Sequence, residues 1–263
     1  MDLTKFNPQM NKQRARRYLY SLNSITSNHI HIKNPWMVAW WSMAFPGFGH
    51  LLINSYFIGF TLIIWEIFIN NMSQLNTAIL YSMHGEFETA KDVINIKWFL
   101  FYIGMYIFAI WDCYQRTVKI NQLYTLAYRQ SHHDTVPFYL SPIELNFLEL
   151  RTPWISVFWT LLVPGVGHIY NRRIPVAFFT LIVFVIIATQ ANLLEGFHYA
   201  FLGEFEKTKQ IIQPQWFLYI PSGYLFMMYD AYVNTVENNK MFKIEQSRFL
   251  KATYQNFTTK HPI

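Results

Sequence analysis

Charge is what this sequence has least of. Lys, Arg, Asp and Glu together make up 14% of its 263 residues, against 52% hydrophobic residues and 19% Phe, Tyr and Trp. A soluble globular chain carries roughly a quarter charged residues, so the deficit points to a bilayer. The single cysteine, Cys113, excludes an intramolecular disulfide and a cysteine-rich metal site, and it reads as a small core residue. His29, His31, His132 and His133 have no Cys or acidic cluster at zinc-ligand spacing, so no metal or cofactor is expected there. G-x-S-x-G, a P-loop, G-x-G-x-x-G after a strand and H-E-x-x-H are all missing, which leaves no enzyme signature to follow. The net charge of +6 comes without a basic, aromatic-interleaved patch on a soluble domain, so no nucleic-acid partner is implied. Met1 to Lys33 is basic and has no apolar stretch; it reads as a retained cytosolic tail, free in solvent or resting on anionic lipid, and not as a cleaved signal.

What is present is apolar length. Ile174 to Ala188 carries no charge, and its flanks extend it to about 20 positions, the length a helix needs to cross the hydrocarbon core. Trp98 to Trp111 and Trp216 to Tyr229 are shorter and equally uncharged. Each opens on Trp, and Tyr114 and Tyr232 follow its far end, as an interfacial aromatic belt requires.

Displacing the sequence against itself by 118 positions exposes an internal repeat. Pro35-Trp36 meets Pro153-Trp154, and Pro46-Gly47-Phe48-Gly49-His50 meets Pro164-Gly165-Val166-Gly167-His168. Gly85-Glu86-Phe87-Glu88 meets Gly203-Glu204-Phe205-Glu206, and Asp112, Tyr114 and Thr117 meet Asp230, Tyr232 and Thr235. Nearly a third of the positions from Pro35 to Val118 are identical, without a gap. Shared hydrophobicity does not align two PGxGH motifs, two GEFE motifs and two aspartates in one register. The chain therefore divides into a basic tail (1–34), a membrane unit (35–118), a polar linker (119–152) with an amphipathic helix expected over Leu140 to Leu150, a second unit (153–236) and a basic tail (237–263).

Two topologies follow. Pro46 and Pro164 each remove a helix hydrogen bond, and the flanking glycines weaken the helix further. If each PGxGH segment re-enters on one face, seventeen of the 21 Lys and Arg lie on the cytoplasmic side and the units are parallel. If it spans, the count falls to fifteen and the units are inverted. The first arrangement is favoured: an all-α polytopic membrane protein of two tandem repeats, four full crossings and two broken or re-entrant segments, with both termini cytoplasmic.

PGxGH followed by Ile169-Tyr170-Asn171-Arg172-Arg173 resembles the PGxG-x-x-Y-x-x-R hairpin of bacterial TM2-like membrane proteins. The likeness covers about 25 residues in each unit. The first unit departs from it, with Leu52 and Ser55 where the second has Tyr170 and Arg173, and both lack the Asp-Arg-Phe triplet. The resemblance implies a multi-pass protein of helix hairpins in a bacterial cytoplasmic membrane. It carries no activity and no catalytic residue.

Ionisable groups inside a bilayer are costly and mark sites. Glu66, Asp112 and Asp230 lie in or beside apolar helices, and His50 and His168 follow the helix breaks. One reading pairs His50 with Asp112 and His168 with Asp230 as polar sites able to shuttle protons or orient a ligand. The other has each group satisfying backbone freed by PGxG. Glu66 aligns with Phe184 and has no counterpart, and the GEFE carboxylates read as solvated loops. The leading functional expectation is a non-catalytic component that packs in the bilayer with other membrane proteins or with itself. The alternative is a small transporter or channel with a site between the repeats, and a membrane enzyme ranks third.

Overall fold

A computed structural model describes residues 19–129, 138–142 and 144–254. The basic residues Lys5, Lys12, Arg14, Arg16 and Arg17, together with His132, His133 and Pro137, lie outside the described residues. In chain order the elements are β1 (Tyr20–Leu22), β2 (Ser27–His29), α1 (Pro35–Ala44), α2 (Phe48–Leu52), α3 (Tyr56–Ser73), α4 (Leu75–Met83), α5 (Phe87–Val93) and α6 (Ile96–Arg129). They continue as β3 (Phe138–Leu140), β4 (Leu145–Phe147), α7 (Pro153–Leu162), α8 (Val166–Tyr170), α9 (Ile174–Gln190), α10 (Leu193–Phe201), α11 (Phe205–Ile211), α12 (Pro214–Phe217) and α13 (Tyr219–Tyr254). The fold is all-α, with two small antiparallel hairpins beside the helices. Among the described residues, α3 and α6 are long and apolar enough to cross a membrane. The pair α9 and α10, bent by 61°, makes a third such segment if it is one span.

Local chemistry sets the breaks. Asn34 caps α1 by accepting from the Trp36 amide at 3.0 Å, and Pro35 supplies a first-turn residue that needs no donor. The helix stops before Pro46, and Gly47 turns the chain at φ +103°. The second unit repeats this with Pro153, Pro164 and Gly165 at φ +102°.

Contacts along α6 fix the path of the first unit. The Lys33 amide donates to Asn121 at 3.0 Å, the Trp36 ring meets Tyr114 at 5.0 Å, and the Tyr106 hydroxyl donates to the Met43 carbonyl at 2.7 Å. So α1 runs antiparallel to α6 for about 15 Å at 1.5 Å per residue. After the PGxGH turn, α2 returns: His50 lies level with Asp112, and Asn54 donates to the His29 carbonyl at 2.9 Å. α3 then runs the full length, until Ser73 accepts from the Asn95 amide at 3.0 Å. The chain thus enters and leaves the PGxGH segment at the same end of α6. In the second unit the Arg151 amide donates to Asn239 at 2.9 Å, Trp154 meets Tyr232 at 5.4 Å, and the Gln213 amide donates to Ala191 at 3.2 Å.

Three local expectations need correction. Residues 138–147 form the β3–β4 hairpin where an amphipathic helix was expected over Leu140 to Leu150, because Pro142 stops helix propagation and Asn146 is buried to donate to the Asn23 carbonyl at 2.7 Å. The end of the expected free tail is folded: β1–β2 docks against the second unit through the Thr26–Arg173 bridge and buries Tyr20, His29 and Lys33. The Trp216 to Tyr229 run is interrupted at Leu218, since Pro221 has no N–H for the preceding turn.

The units meet through aromatic rings. Phe60 stacks on Phe179 at 4.0 Å and Phe48 on Phe226 at 4.1 Å, with Trp41 against Phe226 and Tyr229. A cavity of about 50 Å³ lies among Phe45, Phe48, Phe179, Val183 and Tyr219, and a more open one of about 350 Å³ lies between α3 and α9, lined by Ile64, Phe68, Val183, Ile186 and Trp216.

Candidate functional site

The PGxGH turn places its histidine one helical turn past the break, facing the long helix of the same unit. His50 Nε2 lies 3.0 Å from Asp112 Oδ2, and His168 Nε2 lies 2.8 Å from Asp230 Oδ2. Both histidine side chains are fully buried. With the carboxylates ionised, Nε2 carries the proton and donates it, and each Nδ1 is left without a partner. Glycine at the centre of the motif makes the approach possible, because a Cβ at Gly49 would fall 2.5 Å from the Val38 carbonyl and one at Gly167 2.3 Å from the Ser156 carbonyl.

The two sites differ in the source of their cation. Asp112 is closed by Arg116 Nε at 2.5 Å, one turn on in α6, and this pair reaches solvent. Asp230 is closed by Arg173, which comes from the turn before α9, and both side chains are completely buried. At the 118-residue displacement Arg116 aligns with Asn234, and Ser55 with Arg173. Each unit therefore keeps one cation and draws it from a different element. Asn234 stays in the second site as a donor, 2.8 Å from Asp230 Oδ1. Asn171 completes that site: it donates to Ser156 Oγ at 3.0 Å and to the Ala231 carbonyl at 2.9 Å, and accepts from Thr235 at 2.8 Å.

Arg173 also joins the units. Its guanidinium faces the Leu51 carbonyl, Asn54 Oδ1 and the Tyr56 hydroxyl at 3.5, 3.4 and 3.3 Å, and lies over the Tyr56 ring. Its role was hidden in the sequence, where Arg172-Arg173 reads as a cytoplasmic charge pair. The offset exchange of Arg116 and Arg173 was the available signal.

Glu66 joins neither pair. It lies buried on α3, accepts from Asn70 at 3.0 Å through Oε1, and has the Tyr102 hydroxyl of α6 as its other polar neighbour. Asn70 and Asn76 continue into Gln215 of the second unit: Gln215 donates to Asn70 Oδ1 at 2.9 Å, and Asn76 donates to the Gln215 carbonyl at 2.8 Å. The GEFE glutamates stay at the surface, where Glu88 and Glu206 pair with Lys91 and Lys209. Among the described residues, no three His, Cys, Asp or Glu side chains converge on a metal-sized position.

Substitution separates a titrating role from a bonding one. Glutamine at His50 or His168 keeps a donor for the aspartate and cannot titrate near neutral pH. We expect His50→Gln and His168→Gln to melt within a few degrees of wild type in detergent and to retain the phenotype of the intact gene. Leucine leaves the buried carboxylate short of a donor, at about 1–3 kcal/mol, and lowers the melt. A stable glutamine variant that behaves like a deletion would mean the pairs carry protons.

No family model, curated protein or solved structure matches the chain.

Proposed function

We propose that this protein is a non-catalytic integral membrane protein that packs with partner membrane proteins or with a second copy of itself. The observation that carries this reading is the aromatic filling between the units, set against a large apolar surface outside. Trp36, Phe57, Trp154 and Phe201 are 70–90% exposed, while Asp112 and Asp230 are each neutralised within the fold by an arginine. In native membrane, crosslinking followed by purification is expected to yield a dimer or a defined hetero-complex. Recovery of an uncrosslinked monomer that supports solute flux in vesicles would overturn the reading. A small transporter is the second reading, and the buried Glu66 carboxyl, held by Asn70 and Tyr102 with no arginine or lysine beside it among the described residues, is the observation that favours it.

We further infer two tandem units with four full crossings, by α3, α6, α9 and α13, and two re-entrant PGxGH hairpins like those of TM2-like bacterial proteins. β1–β2 and β3–β4 sit at the same 118-residue displacement, as do the Lys33–Asn121 and Arg151–Asn239 clamps. On that basis each unit extends beyond residues 35–118 and 153–236 to take in its hairpin and the cytosolic end of its long helix. The native Cys113 is buried, so single cysteines report topology cleanly. Cysteine at Glu86 or Glu204 is expected to react with an impermeant thiol reagent from outside intact cells, and cysteine at Arg116 or Arg172 to stay protected. Outside labelling at Arg116 would favour six crossings and inverted units.

A further inference from the structure

Below the PGxGH layer, a cavity of about 200 Å³ opens between β2, the end of α6 and the extension of α13. His29 and His31 line one wall, Tyr124 and Tyr128 a second, and Lys240 and Arg248 the third, with Glu237 beside Lys240. We propose that this cavity binds a small phosphate-bearing anion, a phosphomonoester or inorganic phosphate.

An unmet buried imidazole carries the assignment. His29 is 3% exposed and neither ring nitrogen has a partner, a costly state for a buried polar group unless something else fills the space. Lys33 does not line the cavity but adds a buried cation next to it, its ammonium 3.2 Å from His31 Nδ1. That bond uses the Nδ1 lone pair, so the ring proton of His31 sits on Nε2 as a second donor. Lys240 is balanced by Glu237, whereas Lys33 has no carboxylate in contact among the described residues. His29 is held well below its ordinary range by burial and then by His31 and Lys33, and His31 is pushed down to about 3 by burial and then Lys33, so both rings are neutral and each has one N–H. Burial, Arg173 and the more distant Asp230 and Glu237 leave Lys33 at about 8, still a cation at neutral pH. Tyr124, Tyr128, Lys240 and Arg248 line the same space as His29 and His31, and an oxyanion with several acceptor oxygens can meet such a set from more than one direction.

Size and depth narrow the source. The cavity is smaller than the roughly 300–1,000 Å³ typical of drug-sized ligands. From Tyr114, beside Trp36 at the aromatic belt, to Tyr124 is about 15 Å along α6. The headgroup layer is only about 5–8 Å deep on each side. A lipid headgroup offers the same phosphate chemistry, but this depth favours a soluble ligand.

Full-length protein in neutral detergent, titrated calorimetrically with inorganic phosphate at low ionic strength, is expected to bind saturably. Lys240→Gln changes an exposed side chain, keeps the fold and should weaken binding about tenfold. His29→Phe, confirmed as folded by its melt, should abolish binding. Nanodiscs distinguish the sources: phosphate affinity unchanged by anionic phospholipid identifies a soluble ligand, and competition by that lipid identifies a headgroup. Absence of saturable binding, or equal affinity in wild type and Lys240→Gln, overturns the site.

Discussion

Leucine at Gly47, Gly49, Gly165 and Gly167 together is expected to leave no folded protein in detergent. A single Cβ at Gly167 would lie 2.1 Å from Thr160 Oγ1 and 2.3 Å from the Ser156 carbonyl, and one at Gly49 2.5 Å from both Ser42 Oγ and the Val38 carbonyl. Those carbonyls belong to the helices that the motif folds back against, so they cannot rotate away as a side chain would. Gly47 and Gly165 add backbone at φ +103° and +102°, which costs an L-residue about 1–2 kcal/mol each. Overpacking typically costs about 1–3 kcal/mol per site and more where backbone must move, so the four changes together cost about as much as the roughly 5–15 kcal/mol that holds a domain together. Gly104 and Gly223 have open space where a Cβ would stand and serve as controls: alanine there should leave the melt unchanged. A quadruple variant that expresses and melts normally would show that PGxGH is no structural corner.

The two aspartates should respond very differently to the same change. Asp230→Asn leaves the Arg173 guanidinium fully buried without its counter-charge, and breaking such a pair costs about 3–5 kcal/mol. Asp112→Asn strands Arg116, whose side chain is 40% exposed and can turn to water; exposed pairs of this kind contribute about 0–1 kcal/mol. Detergent melting should show a large loss for the first variant and a small one for the second. Adding Arg173→Gln to Asp230→Asn should recover part of the loss, because the stranded charge is then gone. Equal, small losses at both aspartates would mean that Asp230 is hydrated and not sealed.

The helices and the site were legible to different depths. PGxGH, read through proline and glycine chemistry, located both breaks, and one displacement put His50 and His168 in register with Asp112 and Asp230. Three-residue strands carry too little alternation to announce themselves, so β1–β2 and β3–β4 were invisible to periodicity. Their trace was chemical: Asn28 and Asn146, and Asn121 and Asn239, recur at the same displacement outside the unit boundaries. Arg173 was misread for another reason. Counting cations by side of the membrane treats each as solvated, and a buried arginine that bonds across both units violates that assumption. Glu66 stood out as a lone acid, but the Asn70–Asn76–Gln215 chain beside it depends on tertiary proximity that sequence spacing does not encode.

Because Arg173 reaches back to the Leu51 carbonyl, Asn54 and Tyr56, synthesis meets a problem of order. When the last residue of the first unit, Val118, has been made, those acceptors already exist while the guanidinium that faces them is still 55 residues from being added. The nascent first half must therefore wait at the membrane with an open seam, and the arrival of one arginine closes it. A chain truncated in the linker would keep that seam permanently and become a natural client for quality-control proteolysis, however well its own helices had inserted.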